Sequence, residues 1–140
     1  DLIVVGLLTG TIVFLADLIR KIDLPLRLDF IGVSSYRNDT ESSKLVFTKE
    51  LKIDVKNQDL LIVDDILDTG KTLKIVIDKL KTMQPRKIST CVLLSKKSRR
   101  KYEIPADYVG FEIPNEFVVG YGLDYAEQYR NLPFIGALNS

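Results

Sequence analysis

Apolar residues occur along this chain in short unbroken runs, and most runs are followed by a glycine turn or by a stretch with helical spacing. Leu2–Leu8 reads as a buried strand, and Thr9-Gly10-Thr11 as a tight turn into a helix carrying Ile12, Leu15, Ala16 and Ile19 on one face. Asp23 and Pro25 end that helix, and residues 26–33 return as a second strand. Residues 45–53 alternate loosely, with Leu45 and Phe47 on one face, as an edge strand does. After the turn-like Lys56-Asn57-Gln58-Asp59, the run Leu61-Ile62-Val63 suits a strand covered on both faces. Leu73, Val76, Ile77, Leu80 and Met83 then recur at helical spacing until Pro85, and residues 88–94 supply another strand. Repeated strand–helix–strand units predict an α/β fold with a doubly wound, mainly parallel sheet flanked by helices and ligands at its carboxyl edge.

Composition narrows the chemistry. At 140 residues the chain is one domain long, and 46% hydrophobic with 28% charged residues leaves room for a sizeable core. A net charge of +1 argues against a nucleic-acid or membrane-surface role carried by the overall field. No segment is long enough to span a membrane, and the single cysteine, Cys91, lies in an apolar run as a core residue with no internal disulfide partner. A reducing cytoplasm is the expected location. The chain has no histidine, which removes a Ser-His-Asp triad, a Cys-His pair and His-ligated zinc together. Proton transfer then falls to carboxylate, lysine, tyrosine or water. The first residue is Asp1, followed at once by an apolar run, and an amino-terminal segment is expected to be missing.

The stretch from Leu61 to Thr72 concentrates the candidate chemistry. Asp64 and Asp65 end its strand, where neighbouring side chains can offer acceptors to different hydroxyls of one ligand, as a ribose diol requires. Asp68-Thr69-Gly70-Lys71-Thr72 reads as a helix start, where backbone N–H groups and the helix dipole attract phosphate. Gly70 permits close backbone approach, and Thr69 and Thr72 add hydroxyl donors. Gly70-Lys71-Thr72 also matches the end of a nucleoside-triphosphate P-loop, but the position of that motif's first glycine is held by Asp65, whose carboxylate repels a polyphosphate. An ordinary capped helix explains Asp68 or Thr69 and leaves the two further acids unexplained.

This segment resembles the phosphoribosyl-pyrophosphate motif of type I phosphoribosyltransferases, with its apolar strand, paired acids and Asp-Thr-Gly-Lys-Thr loop. Other segments are similar to the hypoxanthine-guanine branch of that family. Leu8-Thr9-Gly10-Thr11 resembles its pyrophosphate loop. Ser34-Ser35-Tyr36, opening the polar stretch that ends at Ser43, resembles its mobile lid. Lys96 resembles the lysine that meets the purine's exocyclic oxygen, with Lys97 the substitute if the register shifts by one. The run from Asp107 to Phe134 is close to the purine-binding signature. Read physically, Phe117 is a flat stacking face, Val118 offers backbone groups to the base edge, and Arg130 is a phosphate ligand.

The resemblance implies transfer of a phosphoribosyl group from phosphoribosyl pyrophosphate to N9 of a 6-oxopurine. It implies one domain over residues 1–140, with a core over about residues 1–100 and a small hood from about 101–140. Asp64, Asp65, Asp68, Thr69, Gly70, Lys71 and Thr72 are expected to hold ribose and 5-phosphate. Thr9, Gly10 and Arg130 are expected at pyrophosphate, and Lys96, Phe117, Val118 and Asp124 at the purine. Asp68 is the expected proton-handling group at purine N7. Magnesium is the expected cofactor, near Asp64, Asp65 and Asp124, and a dimer or tetramer the expected assembly. A competing class is a regulator of the same fold that binds nucleotide and RNA, for which the basic run Lys96-Lys97-Ser98-Arg99-Arg100-Lys101 is the favouring feature. No aromatic residues interleave with that run, which favours a solvated loop.

Overall fold

A computed structural model describes residues 2–36 and 44–139, with the side chains of Ser35 and Tyr36 outside the description. The elements in chain order are β1 (Leu2–Leu8), α1 (Ile12–Ile19), β2 (Leu26–Tyr36), β3 (Lys44–Lys49), β4 (Asp59–Leu67), α2 (Lys71–Lys81), β5 (Lys87–Ser95) and a 3₁₀ turn, Lys97–Arg99. Three further strands follow, β6 (Tyr108–Glu112), β7 (Val118–Val119) and β8 (Gly136–Ala137). The main sheet has the order β3-β2-β1-β4-β5-β6, with only β3 antiparallel to its neighbour, and β7 pairs with β8 in a second, two-stranded sheet.

Alternation along the central strands divides the core between two faces. Ile3, Val5 and Leu7 pack with Ile62, Leu73, Val76 and Leu80 on the α2 side. Val4 packs with Leu15, Val63 and Cys91 on the α1 side. Connections through α1 lead from β1 to β2, and through α2 from β4 to β5, so strand order reverses between β1 and β4. The loops leaving those adjacent strands run to opposite faces and open a crevice at the carboxyl edge. The doubly wound, mainly parallel sheet expected from the sequence is therefore present.

Three details depart from the side-chain pattern. β2 continues beyond residue 33 to Tyr36, because its polar end is held by the backbone ladder to β3, from Val33 opposite Phe47 to Tyr36 opposite Lys44. β3 stops at Lys49, short of the expected residue 53. Its continuation is captured by Asp29, whose Oδ2 accepts from the backbone N–H groups of Lys52 at 2.6 Å and Ile53 at 2.9 Å. The main sheet also extends past residue 100, since β6 pairs parallel with β5, and the second sheet is drawn from residues after it.

Asp29 is buried, and burial alone would raise its carboxyl. The N–H donors of Ile53, Phe30 and Lys52, with the Lys49 ammonium, outweigh that and hold it below the ordinary carboxylate range. A lowered folded-state value means that the stabilisation is complete above the unfolded value of about 4 and is lost as pH falls. Asp29→Ala is expected to lower stability by about 2–3 kcal/mol at neutral pH. In denaturant titrations the gap from wild type should shrink progressively below about pH 4.

Candidate active site

β4 positions the acidic centre, running through Asp64 and Asp65 to Leu67 before the chain turns at Asp68-Thr69-Gly70. Gly70 is the N-cap of α2 with φ 92°, a left-handed conformation that glycine adopts without a side-chain clash. No side chain caps α2 through Gly70 and no acid lies in its first turn, so leading N–H groups remain for an anion. Thr69 Oγ1 accepts from the Lys71 N–H at 3.3 Å, tightening the turn. A cavity of about 250 Å³ lies here, walled by Asp64, Asp65, the Asp68–Thr72 turn and, across the crevice, Gly10 and Val33. All seven residues expected at ribose and 5-phosphate line it. A Cβ at position 10 would strike the Asp65 carboxylate, so glycine there is what lets the first loop approach the acidic strand end. Thr9, expected beside it, is exposed and does not line this cavity.

A second cavity of about 560 Å³ adjoins the first, bounded by Lys96, Arg99, Asn115, Phe117, Val118, Leu123 and Asp124. Asp65, Ile66 and Asp68 are walls of both. The four residues expected at the purine, all far along the chain from Asp64, are thus assembled beside the acidic strand end. Lys96 is 7% exposed, and among the described residues its ammonium has no hydrogen-bond or ion-pair partner. Such a buried cation facing a cavity is suited to a carbonyl acceptor. Lys97 instead turns out to Glu112 at 2.8 Å and does not line this cavity. Phe117 stands half exposed with Tyr125 edge-on to its ring at a centroid distance of 5.7 Å.

The carboxylates differ in environment. Burial pushes the Asp64 carboxyl well above the usual range, and the neighbouring Asp65 charge adds to the rise. Its Oδ1 accepts from the Asp65 N–H at 2.8 Å, and Asp65 Oδ1 from the Ile66 N–H at 2.7 Å. Asp68 lies 2.8 Å from Arg99 through Oδ1 and Nε. Asp124 caps a local turn by accepting from the Glu127 N–H at 2.9 Å and is 3.5 Å from Arg130. Arg130, expected at pyrophosphate, lines neither cavity. Its guanidinium donates to the Gly122 carbonyl at 2.8 Å and to Glu127 at 3.3 Å. Asp64, Asp65 and Asp124 do not converge on one point: among the described residues no group of three or more acidic, Cys or His side chains could hold a metal ion. Asp64 lines only the first cavity and Asp124 only the second.

The basic run reads differently once folded. Arg100 donates to the carbonyl of Asp68 at 3.0 Å, to that of Leu67 at 3.4 Å and to Ser95 Oγ at 2.8 Å. The N–H groups of Lys101 and Tyr102 both donate to the Thr69 carbonyl, at 2.8 and 3.0 Å. The segment is a strap over the phosphate turn, a role its charge alone did not signal. Tyr121 donates to Asp17 on α1, fixing the Phe117–Asp124 segment to the first loop's helix. Burial, then that bond, pushes its hydroxyl up to about 12. Of the expected lid, Ser34 is exposed at the end of β2; the side chains of Ser35 and Tyr36, and residues 37–43, lie outside the described residues.

A parallel α/β sheet whose crevice joins an anion-binding turn to a base-sized cavity defines a phosphoribosyl-binding protein. Residues 1–126 match the family model for the phosphoribosyl transferase domain. The hypoxanthine phosphoribosyltransferase of Haemophilus influenzae is 50% identical over 137 residues, covering 97% of this chain and 76% of that protein. A hypoxanthine-guanine phosphoribosyltransferase of Staphylococcus epidermidis is 49% identical over 140 residues, covering 99% and 78%. Among solved structures, a hypoxanthine phosphoribosyltransferase from Staphylococcus aureus superposes with a TM-score of 0.93 at 48% identity, covering 99% of this chain and 76% of that one. The enzyme from Trypanosoma cruzi in complex with the product IMP superposes with a TM-score of 0.91 at 38% identity, covering 99% and 75%. The chain belongs to the phosphoribosyltransferase family.

The raised Asp64 carboxyl has a stability consequence. Because the folded state holds this proton more tightly than the unfolded one, ionising Asp64 costs stability as pH rises above the unfolded value of about 4. Asp64→Asn should therefore melt at a higher temperature than wild type at pH 7, with the difference closing as pH falls toward 4, as calorimetric scans at several pH values would read.

Proposed function

We propose that the protein transfers the 5-phosphoribosyl group from phosphoribosyl pyrophosphate to N9 of hypoxanthine or guanine, giving IMP or GMP and releasing pyrophosphate, as in purine salvage. The observation that carries this reading is the pair of cavities meeting at Asp65 and Asp68. One is built for a phosphorylated sugar, the other for a flat base with a carbonyl edge, and the shared wall is where the sugar's C1 must meet N9. The names of the Haemophilus influenzae and Staphylococcus epidermidis relatives agree with it.

The reaction breaks the bond from C1 to the pyrophosphate oxygen and forms the bond from C1 to N9, with pyrophosphate leaving with the bonding electrons. Departure leaves positive charge on the sugar ring, so catalysis rests on positioning and electrostatic stabilisation. The Thr69–Thr72 turn anchors the 5-phosphate, and Asp64 and Asp65 face the ribose hydroxyls. Gly10 and Thr9 border the path of the pyrophosphate, and Arg130 contributes indirectly, by bracing the Gly122 loop that packs against Gly10. Phe117 stacks on the base and Val118 meets its edge. Asp68 accepts the N7 proton of the attacking base, which would otherwise remain as N9 becomes bonded to carbon. Lys96 donates to the 6-oxo group, and a 6-amino group there would set donor against donor. Such a mismatch can reach roughly 10⁴-fold in discrimination.

Magnesium fits this donor set as an ion carried in with the diphosphate. Mg²⁺ is commonly held by one or two carboxylates, with substrate oxygens and water completing its shell. Asp64 and Asp65 at the strand end would hold it, while Asp124, which does not converge with them, would act on a second ion directly or through water. When bound, the ion neutralises charge on the departing pyrophosphate. We further read the protein as a cytoplasmic homo-oligomer, a dimer or tetramer. Support for assembly comes from the aromatic side chains of β6, Tyr108 and Phe111, which are 62% and 63% exposed on a sheet edge. Among the described residues no helix is long and apolar enough to cross a membrane. The RNA-binding alternative loses its favouring feature, because Arg99 and Arg100 are turned inward onto the site and Lys97 is paired with Glu112.

Nucleotide formation from phosphoribosyl pyrophosphate and magnesium, with hypoxanthine, guanine and adenine offered separately, tests the reading. Hypoxanthine and guanine should turn over and adenine should not. Asp68→Asn should lower kcat by about 10²–10⁴-fold. Turnover of adenine at a comparable rate, or an undiminished Asp68→Asn variant, would sink it.

A further inference from the structure

Arg99 lines the base cavity, although neither the sequence motif nor the proposed reaction assigns it a role. Its placement follows from the 3₁₀ turn after β5. Lys96 is the extended N-cap of that turn and Arg99 its last residue, three positions on, and both line the same cavity. The backbone closes the turn with the Arg99 N–H donating to the Lys96 carbonyl at 3.4 Å. Lys96 and Arg99 thus share one side, facing the cavity, while Lys97 is directed to Glu112 and Arg100 to the carbonyls of Leu67 and Asp68.

The contact with Asp68 is informative in its direction. Nε of Arg99 is 2.8 Å from Asp68 Oδ1, yet Oδ1 is screened from solvent and accepts no well-aimed hydrogen bond. The two observations agree if the approach is close but off the line of the N–H. Arg99 then supplies charge and orientation to Asp68 while leaving its acceptor direction open. Among the described residues the Nη groups of Arg99 make no hydrogen bond. A guanidinium is a planar fork, so with one edge on a carboxylate the other donors remain to be directed elsewhere.

We infer that Arg99 is a second base-recognition residue, donating to the 6-oxo edge of the purine beside Lys96 while orienting Asp68 toward N7. This rests on the proposed base site. The 6-oxo oxygen and N7 are neighbours on one edge of a purine, matching a wall on which Lys96, Arg99 and Asp68 stand together. An oxopurine with a proton on N7 gives its acceptor to the two cations and its donor to the carboxylate. A 6-aminopurine would turn a donor toward both cations.

Calorimetric titration of IMP, AMP and ribose 5-phosphate into wild type, Arg99→Leu and Arg99→Lys tests this without requiring turnover. Losing one charge-assisted hydrogen bond should weaken IMP by about tenfold in Arg99→Leu. Ribose 5-phosphate should bind as to wild type and AMP no more weakly, so the preference for IMP over AMP should contract by at least the same factor, with Arg99→Lys restoring part of it. Equal weakening of all three ligands would reduce Arg99 to a support of the fold, and an unchanged preference would remove it from recognition; either overturns the inference. If wild type binds IMP no better than ribose 5-phosphate, the base site itself is wrong and this inference falls with it. That outcome is separated from the others because it is read in the unmutated protein. The Arg99 side chain is 48% exposed, so both variants are expected to fold, and their melting temperatures check that.

Discussion

Placing carboxylates at the buried end of a central strand opposes folding, and much of the site's surroundings can be understood as an answer to that constraint. Asp64 lies beneath the crevice with its charge disfavoured by burial and by Asp65. The strand cannot retreat from it, because Ile62 and Val63, immediately before, are fully buried between two helical layers. Compensation is local and directional. Backbone N–H groups of Asp65 and Ile66 donate to the two carboxylates, and the glycine at position 10 leaves room for Asp65 at the mouth of the crevice. The same features that make the site costly give it function, since acceptors held in a poorly hydrated crevice meet a ligand's hydroxyls with little competition from water.

Cationic groups form the second half of the answer. Arg100 ties the end of β4, through the carbonyls of Leu67 and Asp68, to the end of β5, through the Ser95 hydroxyl, and the following residues strap the glycine turn through the Thr69 carbonyl. Lys96 and Arg99 face the second cavity. The long way round, from Phe117 to Asp124, is closed by Tyr121 on Asp17 and by Arg130 on the Gly122 carbonyl, so the wall opposite the acidic strand is held by α1 and by its own loop. Positive charge is thus concentrated near the centre without a large net charge on the molecule, which is +1.

Much of this was legible from residue order. The period of the apolar runs located the central strands and α2, and the Asp64–Thr72 stretch located the residues that wall the first cavity, because both signals are local in sequence. What escaped depends on partners distant along the chain. β3 ends where Asp29, on another strand, takes the next N–H groups, and no pattern within residues 45–53 encodes that. β2 extends through polar residues because a ladder, unlike a core face, is indifferent to side-chain polarity. The basic run looked like solvated charge, and the 3₁₀ turn sorts it into cavity residues, a strap and an exposed ion pair. Arg130 and the three expected metal carboxylates were placed by resemblance to a motif, and the fold leaves Arg130 braced against its own loop and Asp124 apart from the other two.

A crystal structure of the protein with IMP bound would test most directly whether the two adjoining cavities form one active site. The expected result places the 5-phosphate in the Thr69–Thr72 turn, the ribose hydroxyls toward Asp64 and Asp65, and the base between Phe117 and Lys96. A phosphate bound away from that turn, or a base lying outside the cavity walled by Lys96 and Phe117, would contradict it.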